Sequence, residues 1–136
     1  MAIPLIGSKR AVTAFAVFAC INVVTTAIPP GNGRAPLGLQ IQFPLPLTTN
    51  GVTVSALYGE YLQLTSIYRR LQDQDLPNNR ANLYAVISLA ATAVTALIAT
   101  LATITVSGDN VFVLAGLQSV AAQALVTIQN VQSDEL

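Results

Sequence analysis

The residues of this chain with the most chemical potential lie in one short stretch. Tyr68, Arg69, Arg70, Gln72, Gln74, Asn78, Asn79 and Arg80 fall within thirteen positions, with Asp73 and Asp75 among them. Guanidinium forks, amide side chains and free backbone N–H groups at a helix start all suit phosphate oxygens, which they grip without reading base sequence. Lys9 and Arg10 add two more cations near the N-terminus, so five of the six basic residues belong to these two places and Arg34 is the exception. The same groups have a plainer use. Arg69, Arg70 and Arg80 can pair with Asp73 and Asp75 as a solvated connector between two helices.

Other chemistry is poorly provided for. Histidine is absent and the carboxylates, Glu60, Asp73, Asp75, Asp109, Asp134 and Glu135, are dispersed. General acid–base catalysis and nucleophilic triads draw on His or on carboxylates gathered in one pocket, and a metal needs two or more clustered ligands. The chain is therefore read as not an enzyme, with no catalytic residue, no metal and no cofactor. Cys20, the single cysteine, sits in an apolar run and reads as a buried small hydrophobe. Tyr58, Tyr61 and Tyr68 read as packing residues with hydroxyls at a polar boundary.

The 136 residues suffice for one domain, yet 53% are hydrophobic and 9% charged, with zero formal net charge. A soluble monomer of this size needs more polar surface, so lipid or further copies of the chain must cover the apolar faces. Zero net charge removes any global attraction to nucleic acid and leaves only local contact.

Four helices are expected to position the basic residues, at about 8–27, 52–75, 80–106 and 110–131. Ser8 can cap the first, and Pro29, Pro30 and Gly31 end it. Lys9 and Arg10 before an apolar run also resemble a signal peptide or pilin leader, but the segment is read as a retained structural helix. From about 36 to 48, Leu37, Leu39, Ile41, Phe43, Leu45 and Leu47 alternate among three prolines, which predicts an extended segment. The second helix carries a stripe of Val54, Leu57, Tyr61, Leu64, Tyr68 and Leu71, with Glu60 off it and facing water or another subunit. The third has two ridges of small residues, Ser88, Thr92, Ala96, Thr100 and Ala91, Thr95, Ala99, Thr103, which serve either close helix association or an Ala-rich core. Ser107 to Asn110 is expected to form a compact break, with Gly108 capping the third helix and Asp109 the fourth. On the fourth, Gln118, Gln129 and Gln132 form a polar stripe. The fold class is thus mainly α: antiparallel helical hairpins forming a bundle, with a short extended Pro-rich segment. Alternation of direction brings Lys9, Arg10, Arg69, Arg70 and Arg80 to one pole, where the acidic tail from Asp134 can meet Lys9 and Arg10.

In length and layout, carried by VSALYGEYLQLTSIYRRL, RRLQDQDLPNNR and NLYAVISLAATAVTALIATLATITV, most of the chain resembles the major coat proteins of the clavaviruses, bacilliform DNA viruses of hyperthermophilic archaea. The resemblance implies a virion wall of α-helical subunits, a homo-oligomeric helical tube around circular double-stranded DNA, with the RRLQDQDLPNNR turn facing the genome. It also implies heat resistance. One lysine and Pro-rich loops agree with that, whereas the Asn78 and Asn79 pair does not. The alternative class is a small integral membrane protein, holin-like, or a conjugative pilin that carries lipid, with the same basic residues on the cytoplasmic side.

Overall fold

A computed structural model describes residues 8–27, 51–72 and 80–133, with the backbone alone for 51–54 and 80. Four helices make up the architecture: α1 (Lys9–Ala27), α2 (Gly51–Gln72), α3 (Arg80–Leu101) and α4 (Asn110–Ser133), and no strand occurs among the described residues. They form an up-down-up-down bundle. α1 packs on α2 and α4, α3 packs on the same two, α1 and α3 touch across the centre, and α2 and α4 do not meet. The fold is a mainly α helical bundle. The expected extended segment at 36–48 lies outside the described residues.

Burial follows a 3–4 spacing on each helix, the pattern that turns one stripe toward a shared core. α3 contributes Leu83, Val86, Ile87, Ala90, Val94, Leu97 and Leu101, and α4 contributes Leu114, Ala121, Ala124, Ile128 and Val131. α1 has the most enclosed surface, with Val17, Cys20 and Val24 fully buried. Burial pushes the Cys20 thiol up to about 12, so it stays protonated and packs as a hydrophobe. Ser8 caps α1: its Oγ accepts from Ala11 N–H at 3.0 Å and its carbonyl from Val12 N–H at 3.0 Å.

Several details depart from the expectations of sequence. The buried seam of α2 is Leu57, Glu60, Leu64, Ile67 and Leu71, with Tyr61 and Tyr68 half-buried at its edge. Glu60, expected to face water or a neighbouring subunit, is therefore a core residue, only 8% exposed. A tyrosine ring is apolar enough to mark a stripe in sequence, but its hydroxyl holds it at the wet margin.

α3 ends at Leu101 rather than near Val106. The run Thr103, Ile104, Thr105, Val106 is wholly β-branched and crowds a helical turn. The backbone tightens there instead, Thr103 N–H reaching Thr100 O at 3.0 Å and Ile104 N–H reaching Leu101 O at 3.2 Å. Gly108 consequently does not cap α3. It adopts the left-handed φ of 63° in the turn that leads into α4. Gln118, assigned to a polar stripe, turns inward and its Nε2 lies 3.4 Å from the Leu101 carbonyl, helping to satisfy the end of α3.

The small-residue ridges of α3 point outward. Ser88, Thr92, Ala96, Thr95, Ala99 and Thr103 are exposed, with Ala91 and Thr100 half-buried. They are not the Ala-rich core that the sequence allowed. Their hydroxyls turn back on the helix, Thr95 Oγ1 to Ala91 O at 2.8 Å and Thr103 Oγ1 to Thr100 O at 2.7 Å. This side-chain-to-backbone bonding leaves the ridge with little unmet polarity.

Candidate basic pole

The bundle direction puts the start of α1, the end of α2, the start of α3 and the end of α4 at one pole. Two α1 side chains bind this pole together. Lys9 Nζ donates to Val131 O of α4 at 2.8 Å and lies 5.3 Å from the Tyr84 ring centroid of α3. Arg10 Nη1 donates to Leu71 O of α2 at 3.0 Å. The last carbonyls of a helix lack intrahelical partners and carry the negative end of its dipole, so a cation there fills a geometric and an electrostatic need together. Both residues are half-buried. Lys9 and Arg10, expected among the phosphate-binding cations, thus fasten α4 and α2 to α1.

Arg10→Ala is expected to lower bundle stability by about 1–2 kcal/mol, the worth of a charge-assisted bond to an otherwise unmet carbonyl. Arg69→Ala is expected to cost less than about 0.5 kcal/mol, as an exposed surface change. Urea unfolding of the two variants measures the contrast, and equal losses would contradict the assigned capping.

Arg69 and Arg70 occupy the last turn of α2 and are exposed. Successive helical positions diverge by about 100°, so the two guanidiniums fan out from the helix end. Neither makes an ion pair or hydrogen bond to another described residue, and both have the favourable end of the helix dipole behind them. Arg70 overhangs a groove between α2 and α3 lined by Leu62, Ser66, Ile67 and Leu89. Gln72 is exposed beside them. Tyr68 is half-buried with its ring 5.6 Å from that of Phe18 at 41°, a packed pair joining α1 and α2. Arg80 begins α3 at the same pole. Gln74, Asn78 and Asn79 lie outside the described residues, as do Asp73, Asp75, Arg34 and the tail from Asp134.

The pole therefore combines two outward arginines at a helix end, with Lys9 and Arg10 recessed behind them. It can attract phosphate or carboxylate groups by charge, and no group of three or more potential metal ligands occurs among the described residues.

The flank of the bundle stands in contrast. α1 beyond Arg10, α3 beyond Arg80 and all of α4 contain no charged residue. Phe15, Phe18, Leu89, Val111, Phe112, Val120 and Val126 are exposed there. Composition alone calls for cover over apolar faces in general. Which faces stay open is visible only once the α4 seam has consumed Leu114, Ala121, Ala124, Ile128 and Val131. Helices α1, α3 and α4 are long and apolar enough to cross a membrane. Comparison with family models, curated proteins and solved structures finds no match to this chain.

Proposed function

We propose that the chain is a structural coat subunit. In this reading it assembles laterally through its uncharged flanks into a helical protein wall and turns its arginine-bearing pole toward double-stranded DNA, as a component of a virion. The reading rests chiefly on α4, a helix of 24 residues without a charge, of which one narrow seam is buried while Phe112 is 78% and Val126 54% exposed. A surface of this kind is unstable in water and is relieved by contact with copies of itself. Repetition would also supply the electrostatics. Duplex DNA carries one charge per about 1.7 Å of axis, and a neutral subunit offering two or three guanidiniums at one pole becomes an effective counter-surface when arrayed along it. Binding of this type is indifferent to base sequence.

Arg69→Ala with Arg70→Ala tests the reading. The double variant is expected to remain helical and to assemble, while nuclease-protected DNA per particle falls at least severalfold. The salt dependence of DNA binding should weaken by roughly 0.9 in the log–log slope for every phosphate that is no longer neutralised. Unchanged DNA content would remove DNA from the proposal.

A second reading has a specific observation behind it. Glu60, the one charged residue of α2 before Arg69, turns its carboxyl into the core and so does not confront lipid. A membrane bundle with its basic pole on the cytoplasmic side would satisfy the positive-inside rule. The two readings part at purification. Rods that form without detergent and protect DNA favour the coat, extraction only with detergent favours the membrane bundle, and filaments carrying phospholipid without a genome favour a pilin.

A further inference from the structure

Glu60 occupies a core position of α2 between Leu57 and Leu64 and faces α3. Its Oε2 lies 2.7 Å from Thr100 Oγ1, and the same hydroxyl lies 3.1 Å from the Ala96 carbonyl of its own helix. Oε1 is buried and has no hydrogen-bond partner among the described residues.

Counting protons decides between the two forms of this acid. Thr100 has one hydroxyl hydrogen. Were Glu60 a carboxylate, that hydrogen could serve Oε2 or Ala96 O but not both, and an oxygen bearing half a charge would remain bare inside an apolar seam. With a proton on Oε2 the Glu60 hydroxyl can donate to Thr100 Oγ1 and Thr100 to Ala96 O, and what stays bare at Oε1 is a neutral carbonyl oxygen rather than a shared charge. Burying an uncompensated charge costs far more than burying a hydrogen-bonded acid.

The surroundings hold no compensating cation among the described residues. Along α3 the sole titratable side chain after Arg80 is Tyr84, at the opposite end from Thr100. On α1, after Lys9 and Arg10 at the far pole, it is Cys20, a protonated thiol. On α2 itself Tyr58 and Tyr61 flank Glu60 as stacked phenols, and Arg69 lies nine positions on, about 13 Å along the axis. α4 does not touch α2.

We propose that Glu60 is held as a neutral carboxylic acid that latches α2 to α3, and that release of its proton to solvent unlatches this seam. Burial lifts the Glu60 carboxyl above its ordinary range, outweighing the opposite pull of a bond that Thr100 would donate to the charged form. Below the ordinary carboxyl range both folded and unfolded chains are protonated and the full contribution of the latch is present. As pH rises from there to the raised value in the fold, the unfolded chain binds fewer protons than the folded one, so stability falls, and above that value it levels off.

The test uses the full chain. The thermal midpoint, followed by circular dichroism against pH, is expected to fall for the wild type between mildly acidic and alkaline pH. In Glu60→Gln, which keeps the shape and the hydrogen bond but cannot ionise, that part of the pH dependence should vanish and the alkaline midpoint should exceed that of the wild type. Infrared spectra of the wild type should retain a protonated-carboxyl band at pH above the ordinary carboxyl range. Amide exchange at 57–64 and 96–104, corrected for the intrinsic effect of pH, should quicken as that band disappears. These wild-type readouts decide the matter even if the glutamine variant fails to fold. Wild-type carboxyls that all ionise in the ordinary range, or identical pH profiles for wild type and variant, would overturn the latch. The latch depends on the bundle alone, so its failure leaves the coat reading standing, and the converse holds.

Discussion

Phe112→Lys with Val126→Lys is expected to give a folded bundle that no longer assembles. Both side chains stand outside the α4 seam, Phe112 78% and Val126 54% exposed, so two ammonium groups there remain solvated in the single subunit and leave the core undisturbed. Once copies press together, the same groups would have to leave water without a partner, since α1 beyond Arg10, α3 beyond Arg80 and α4 carry no carboxylate. Stranding a charge in this way costs several kcal/mol, and an assembly repeats the cost at every interface. Electron microscopy and sedimentation without detergent read the loss of rods, while circular dichroism reports the retained helices. Rods of normal length would show that the outer face of α4 is not the assembly surface. A chain that needs detergent before and after the change would be the behaviour of a bundle embedded in lipid.

Leu97→Ala should be strongly destabilising. Leu97 is fully buried on α3, in a cluster to which all four helices contribute. Replacing such a leucine removes its transfer free energy and leaves a cavity that neighbours fill only in part, a loss of about 3 kcal/mol within the usual range of 2–5. Leu89, on the same helix but 46% exposed, supplies the control, and Leu89→Ala should cost less than about 1 kcal/mol. Assembly would mask these differences by mass action. Urea unfolding is therefore best measured in the non-assembling Phe112→Lys, Val126→Lys background. Equal losses at the two leucines would mean that the faces of α3 have been assigned the wrong way round.

How much of this was legible beforehand differs from element to element. Four helices could be read because long apolar periodic runs are separated by residues that halt a helix, and because Ser8 is a capping residue at the right place. The gathering of basic residues at one pole was legible only in part, since the compact break at 107–110 makes α3 and α4 antiparallel, whereas the direction of α1 against α2, 23 residues away, was decided by packing. The α2 register was less legible. Apolar spacing selected Tyr61, whereas packing selected Glu60, one position away, and a one-residue shift of about 100° separates a wet carboxylate from a buried acid. The heptad of Leu57, Glu60, Leu64, Ile67 and Leu71 was present in the sequence, but a carboxylate in that series reads as a surface residue unless the partner hydroxyl of Thr100, forty positions away, is known.

Local chemistry alone determined that this chain would be helical, greasy and charged at one end, because composition, capping and periodicity act over a few residues at a time. Tertiary structure decided what each conspicuous residue does. Lys9 and Arg10 are drawn in to fasten the ends of α4 and α2, Arg69 and Arg70 stay outside, and the small-residue ridge of α3 turns away from the core. Those outcomes depend on which carbonyl, hydroxyl or ring another helix brings within about 3–5 Å, and partners so remote along the chain leave no signature in the residues around each site.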